Sequence, residues 1–194
     1  MNFKRLLICV IISTLTIACT KTHESKQVLL KNGEKKSITA SDLAVDKNGQ
    51  SKSTVLIKTV HGNISFKFYP KMAPNTVTRM IQLVQQGFYD GLTFHRVIPN
   101  FVVQTGDPQA TGAGGTGTKI KAEFNSLQHI KGTLAMARHS NDIDSADSQF
   151  YIALTTLPHL DNKYTIFGQV IDGLELLKKI QKGDKILSMS LNLN

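Results

Sequence analysis

Four kinds of residue in this chain could do chemistry: a glycine-rich run, a set of carboxylates, scattered histidines, and polar side chains set inside apolar blocks. Gly112–Ala113–Gly114–Gly115–Thr116–Gly117 has GxGxxG spacing. Phosphate binding by such a run needs a strand before it and a helix after it, so that helix N–H groups face the anion. Here Lys119–Ile120–Lys121 alternates like a strand, and Thr118–Lys119 reverses the order of a nucleotide loop. The run therefore reads as an ordinary glycine-rich loop. Asn141, Asp142, Asp144 and Asp147 lack calcium-loop spacing and a bidentate glutamate, and read as turn formers. The 6 histidines (His23, His61, His95, His129, His139 and His159) include no HxxxH pair. The 2 cysteines, Cys9 and Cys19, both precede residue 20, so a disulfide framework or cysteine zinc site in the folded part is excluded. There remain Arg96 and Gln104, polar residues among apolar neighbours. Standing alone, each has a bland reading: a surface ion pair for Arg96 and an exposed strand residue for Gln104.

The elements that must hold these residues are short. Val55–Val60 reads as a strand, His61–Gly62–Asn63 as a tight turn, and Ile64, Phe66 and Phe68 as the buried side of a second strand of period two. Pro74 and Asn75 open a helix whose apolar face is Val77, Met80, Ile81 and Val84, and Gly87 stops it. A second helix is expected from Asp172 to Gly183, with Leu174, Leu177 and Ile180 inward. Short apolar stretches with many glycines fill the interval. Many short strands with two helices predict a mainly β fold, a closed or nearly closed barrel.

Four blocks in order carry a resemblance. They are Phe94–His95–Arg96–Val97–Ile98–Pro99–Asn100–Phe101–Val102–Val103–Gln104–Thr105–Gly106–Asp107, then Gly132–Thr133–Leu134–Ala135–Met136–Ala137–Arg138, then Ser148–Gln149–Phe150–Tyr151–Ile152, then Tyr164–Thr165–Ile166–Phe167–Gly168. Together they resemble the cyclophilin-type peptidyl-prolyl cis–trans isomerases, over about Val55 to the C-terminus. The resemblance implies an eight-stranded antiparallel β-barrel closed by two α-helices. It implies rotation about Xaa-Pro bonds without a cofactor or metal, proline-containing polypeptides as substrate, and a monomer. By the same resemblance Arg96 is the catalytic cation and Gln104 its orienting partner. Phe101, Met136, Tyr151 and Leu160 match the apolar pocket for the proline ring, with Val102 in the same substrate-binding set. Gly112, Ala137 and Gln149 line the adjoining groove, and Arg138 matches a position whose backbone meets extended substrate. Tyr151 replaces the usual phenylalanine and adds a hydroxyl that needs a partner. Tyr164 replaces a histidine. His159 stands where some members carry the tryptophan that binds cyclosporin, which implies weak cyclosporin binding here. The alternative reading is a non-catalytic module that holds proline-containing segments.

The chain has 194 residues and a formal net charge of +9, with hydrophobic residues at 41%. Its basic residues are scattered without interleaved aromatics, so a nucleic-acid surface is not expected. Met1–Arg5 is basic, Leu6–Ile17 is a short apolar run, and Ala18 precedes Cys19. That is the plan of an export signal, too short for a span of roughly 20 residues. Leu15–Thr16–Ile17–Ala18–Cys19 resembles a bacterial lipoprotein signal, which implies cleavage after residue 18, a lipid on Cys19, and a membrane-anchored protein on the periplasmic side or cell surface. Residues 19–53 are polar and read as a flexible spacer ahead of a domain over 54–194.

Overall fold

The computed structural model describes residues 37–193. The export segment, Cys19 and the first part of the spacer lie outside the described residues. Eight strands form one antiparallel sheet: β1 Thr54–Thr59, β2 Gly62–Phe68, β3 Arg96–Ile98, β4 Val102–Thr105, β5 Thr133–Met136, β6 Phe150–Ala153, β7 Ile166–Asp172 and β8 Ile186–Asn192. Their order across the sheet is β3-β4-β6-β5-β7-β2-β1-β8. The sheet curls until its two ends approach. Backbone bonds from Gly91 to Ile186 (2.7 Å), Ile186 to Leu92 (2.8 Å) and Phe94 to Asp184 (2.8 Å) tie the approach to β3 to the entry of β8. The sheet is a curled half-barrel drawn together at this seam.

The period-two reading of β1 and β2 holds. Val55 faces Phe66 and Ile57 faces Ile64 across the ladder, and all four are fully buried. The one α-helix among the described residues, α1 (Pro74–Gln85), plugs the barrel with Val77, Met80, Ile81 and Val84. Its start has no local side-chain cap. Instead Glu123, distant in sequence, accepts the N–H of Asn75 (2.9 Å) and of Thr76 (2.8 Å). A carboxylate there also meets the positive end of the helix dipole. At the other end Gly87 takes φ 67°, with Phe88 N–H bonded to Leu83 O and Gly87 N–H to Val84 O, both 3.0 Å. That is the paired-bond glycine stop of a Schellman motif.

Two expectations are corrected. The second helix is not α-helical: Asp172 ends β7, and only Leu176–Lys179 form a 3₁₀ turn. Leu174, Leu177 and Ile180 recur every three residues, a period that a 3₁₀ turn satisfies as well as an α-helix. Gly173, at φ 80°, sits so close to the Asn63 carbonyl that a Cβ would lie 2.5 Å from it. This pins the chain at the point where a helix would start. Nor is the spacer free up to residue 53. Ile38, Ala40 and Leu43 are buried in the main core, and the Ala40 N–H bonds to Thr78 Oγ1 on α1 at 3.0 Å. Val45 bridges to Ser51, and the Ser51 N–H bonds to Phe68 O at 2.8 Å. Composition over 37–53 is polar, but three apolar residues suffice to dock it.

Candidate active site

The sheet has two apolar faces, and strand alternation assigns residues to them. Val103, Leu134, Met136, Phe150 and Ile152 point into the barrel core. Val102, Ala135, Tyr151, Ala153 and Ile166 form a second cluster on the outer face, with Phe101, Leu160 and Tyr164 packed against it. Arg96 pairs across the ladder with Gln104, Gln104 with Tyr151, and Tyr151 with Ala135. Directly opposed residues share a face, so one row on the outer surface runs arginine, glutamine, tyrosine, alanine. The short strands β3 to β6 thus deliver Arg96 and Gln104 to the rim of the second cluster.

Above that cluster lies a cavity of about 340 Å³, walled by Arg96, Phe101, Val102, Gln104, Tyr151, Leu160 and Tyr164. The Arg96 guanidinium carbon stands 5.7 Å from the Phe101 ring centroid. Arg96 Nη1 donates to Gln104 Oε1 at 3.1 Å, Gln104 Nε2 to Gln149 Oε1 at 2.8 Å, and Gln149 Nε2 to the carbonyls of Gly112 (3.0 Å) and Gly114 (2.8 Å). Every amide in this chain donates in the same sense, so the Gln104 oxygen is left facing the guanidinium. His159 stacks on Phe101 at the rim, centroids 6.0 Å apart. The Arg138 side chain lies over Tyr164 at 4.8 Å and is held there by the Lys163 and His139 carbonyls.

A second cavity of about 370 Å³ shares Gln104, Gly112, Ala137 and Arg138 with the first and adds Gln149 to its own wall. The glycine-rich loop forms its wall. The N–H groups of Gly112 and Gly114 are already bonded to Asp107, at 2.6 and 3.1 Å, and that of Gly117 to Asp147 at 2.7 Å. The protein's own carboxylates thus occupy donors that a phosphate loop would leave free. Among the described residues, no group of three or more histidines, cysteines or carboxylates could hold a metal.

Met136 is a correction. It belongs to the barrel interior beside Phe150, not to the cavity. The residues facing out are its neighbours Ala135, in β5, and Ala137, just beyond its end, and the volume expected of Met136 is supplied by Val102 from β4. Two residues beyond the expected set enter the site. His95 lines the cavity although only 7% exposed, and neither ring nitrogen makes a hydrogen bond among the described residues. Burial holds its pKa below the ordinary histidine value, against the opposing pull of Asp107. Its place next to Arg96 in sequence was the available signal. His129 is fully buried beneath the cavity, where it meets the Tyr151 hydroxyl at 2.9 Å. Nothing local marks it, because its partners are 22 and 32 residues away.

Comparison with known proteins agrees with this geometry. The family described as cyclophilin type peptidyl-prolyl cis-trans isomerase matches residues 54–190. A peptidyl-prolyl cis-trans isomerase of Synechococcus elongatus is 45% identical over 138 residues, covering 70% of this chain and 94% of that protein. Peptidyl-prolyl cis-trans isomerase B of Bacillus subtilis is 48% identical over 123 residues, covering 62% and 85%. Among solved structures, a cyclophilin type peptidyl-prolyl cis-trans isomerase of Cryptosporidium parvum superposes with TM-score 0.68 at 30% identity, covering 73% of this chain and 98% of that one. A cyclophilin from Hirschia baltica, at 23% identity and TM-score 0.64, shares the fold.

Proposed function

Since the chain belongs to the cyclophilin-type peptidyl-prolyl cis–trans isomerase family, we propose that it turns Xaa-Pro bonds in the outer-face cavity, with Arg96 as the catalytic residue and Gln104 as its support. The planar bond resists rotation by ~18–20 kcal/mol because the nitrogen lone pair is shared with the carbonyl. In that ground state the prolyl nitrogen accepts no hydrogen bond and, lacking N–H, donates none. Half-way through rotation the lone pair is localised and becomes an acceptor. A fixed cationic donor beside it therefore binds the twisted state better than either planar isomer, which is what lowers a barrier. Arginine suits this because it stays charged and carries donors on a rigid plane.

The observation that carries the reading is the Arg96 guanidinium held by Gln104 at 3.1 Å beside the Phe101 ring, over the apolar cup of Val102, Tyr151 and Leu160. The proline ring fills the cup and its neighbours lie along Gly112, Ala137 and Gln149. No bond is made or broken, so no metal or cofactor has a step to perform. Arg96→Ala, with circular dichroism unchanged, is expected to lower kcat on a Xaa-Pro peptide by about two orders of magnitude, as for loss of a preorganised donor elsewhere. An unchanged rate removes Arg96 from its role, and peptide affinity without turnover in the wild type turns the protein into a binding module.

The clients proposed are exported polypeptides, and the protein is proposed to act on the periplasmic side or cell surface from a lipid on Cys19. This reading stands on the sequence pattern of residues 1–19 alone. Palmitate labelling of wild type and Cys19→Ala tests it, and label retained by the mutant excludes that site.

A further inference from the structure

The cup floor poses a problem that the reading of the site leaves open. Tyr151 carries a hydroxyl, and a free hydroxyl facing a proline ring would be desolvated without a partner on binding. We propose that His129 is a positioning residue of the proline pocket: with Asp161 it holds the Tyr151 hydroxyl beneath the floor, so that only the ring faces substrate. The inference rests on the outer-face cavity being the proline site.

Three contacts define the device. His129 Nε2 lies 2.9 Å from Tyr151 Oη, and the two ring planes are within 14°. His129 Nδ1 lies 2.8 Å from Asp161 Oδ1, and the His129 backbone N–H donates to the same oxygen at 2.8 Å. An ionised carboxylate only accepts, so Nδ1 carries the proton. Nε2 is then the acceptor, and Tyr151 must donate to it. The imidazole is fully buried, and burial favours its neutral form, which this pattern requires.

The same histidine also fixes a second wall. Its carbonyl accepts the Leu157 N–H at 2.8 Å, and Asp161 follows the 3₁₀ turn Pro158–Leu160 directly. His129 thus holds both ends of the turn that presents Leu160 to the cup. One buried side chain joins β6 to that turn, though it touches no substrate itself.

His129→Asn keeps a polar group where Nδ1 stands, for Asp161, but cannot reach Tyr151. His129→Gln can place an amide oxygen where Nε2 stands. His129→Asn is expected to raise KM for a Xaa-Pro peptide about tenfold with kcat within about twofold, the size of one buried hydrogen bond. His129→Gln is expected to return most of that loss. Made in a Tyr151→Phe background, where there is no hydroxyl to restrain, His129→Asn is expected to raise KM less than about twofold over the background. An equal rise in both backgrounds overturns the proposal, because His129 then acts only through the 157–161 turn; no rise in either overturns it as well. If the wild type binds peptide without turnover, the enzyme reading fails while the His129 comparison is still read from peptide Kd. Independently of any variant folding, nitrogen NMR of the wild type at pH 7 should show the neutral Nδ1–H tautomer. The other tautomer or an imidazolium sinks the idea.

Discussion

At the scale of single residues, the site is a polar chain laid along an apolar cup. Arg96 has one protein acceptor for its outer nitrogen, and that acceptor is itself oriented by Gln149 and two glycine carbonyls. Gln104→Ala cuts the chain at its second link. The guanidinium remains but loses its fixed direction, so kcat/KM is expected to fall about tenfold, less than for Arg96→Ala; a loss equal to that of Arg96→Ala would give Gln104 a direct role. His159 occupies the rim as a stacked partner of Phe101. An imidazole offers less apolar area than an indole and a different donor position. Cyclosporin is therefore expected to inhibit weakly, and His159→Trp to strengthen inhibition in an isomerisation assay. Arg96, Gln104, Phe101 and Tyr151 were legible in the sequence because their blocks keep order and spacing. Met136 was misplaced because a block lists neighbours without saying which face each one takes.

At the scale of elements, the instructive piece is the segment 37–53. The family match starts at residue 54, yet Ile38, Ala40 and Leu43 lie in the main core. A fragment starting at residue 37 is expected to melt higher than one starting at 54. Truncating even one such buried aliphatic side chain costs about 2–5 kcal/mol, so the difference should exceed several degrees. Equal melting temperatures would make that packing irrelevant to stability. The helix start makes a second case. Glu123→Ala removes the only cap on Asn75 and Thr76 among the described residues. It is expected to cost about 1 kcal/mol, measured by denaturant unfolding. The strand pair β1–β2 and α1 were readable from period two and period 3.6. The segment after Asp172 was not, because spacing by three fits two kinds of helix.

At the scale of the whole molecule, two histidines among the described residues, His95 and His129, are buried with depressed pKa values, in each case chiefly through burial. The unfolded chain binds protons at these sites near pH 6.5, where the folded chain does not. Their contribution to stability is therefore complete above about 6.5 and is lost as the pH falls toward the lower folded values. Asp161 is held below its ordinary value by the His129 backbone N–H and ring. For Asp107, burial acts upward but is outweighed by the N–H groups of Gln109, Gly114 and Gly112. These carboxylates add a second loss below about pH 4. The melting temperature is expected to fall between pH 7 and 5 and again in the acid range; a rise over the first interval contradicts the neutral buried state of the histidines.

By itself the sequence determined the chemistry available and the periodicity of the longest elements: an arginine and a glutamine eight positions apart in a strand–turn–strand block, apolar blocks in order, cysteines confined to the first 19 residues. Those follow from residue type and from local spacing, which a linear string records. Only the tertiary structure decided which side of β5 faces the outer cavity, that Glu123 caps α1, that 37–53 is docked, and that His129 reaches Tyr151 and Asp161. Each of these is a contact between residues far apart in the chain. Its free energy comes from burial and hydrogen bonding that exist only once the sheet has curled and set those residues side by side.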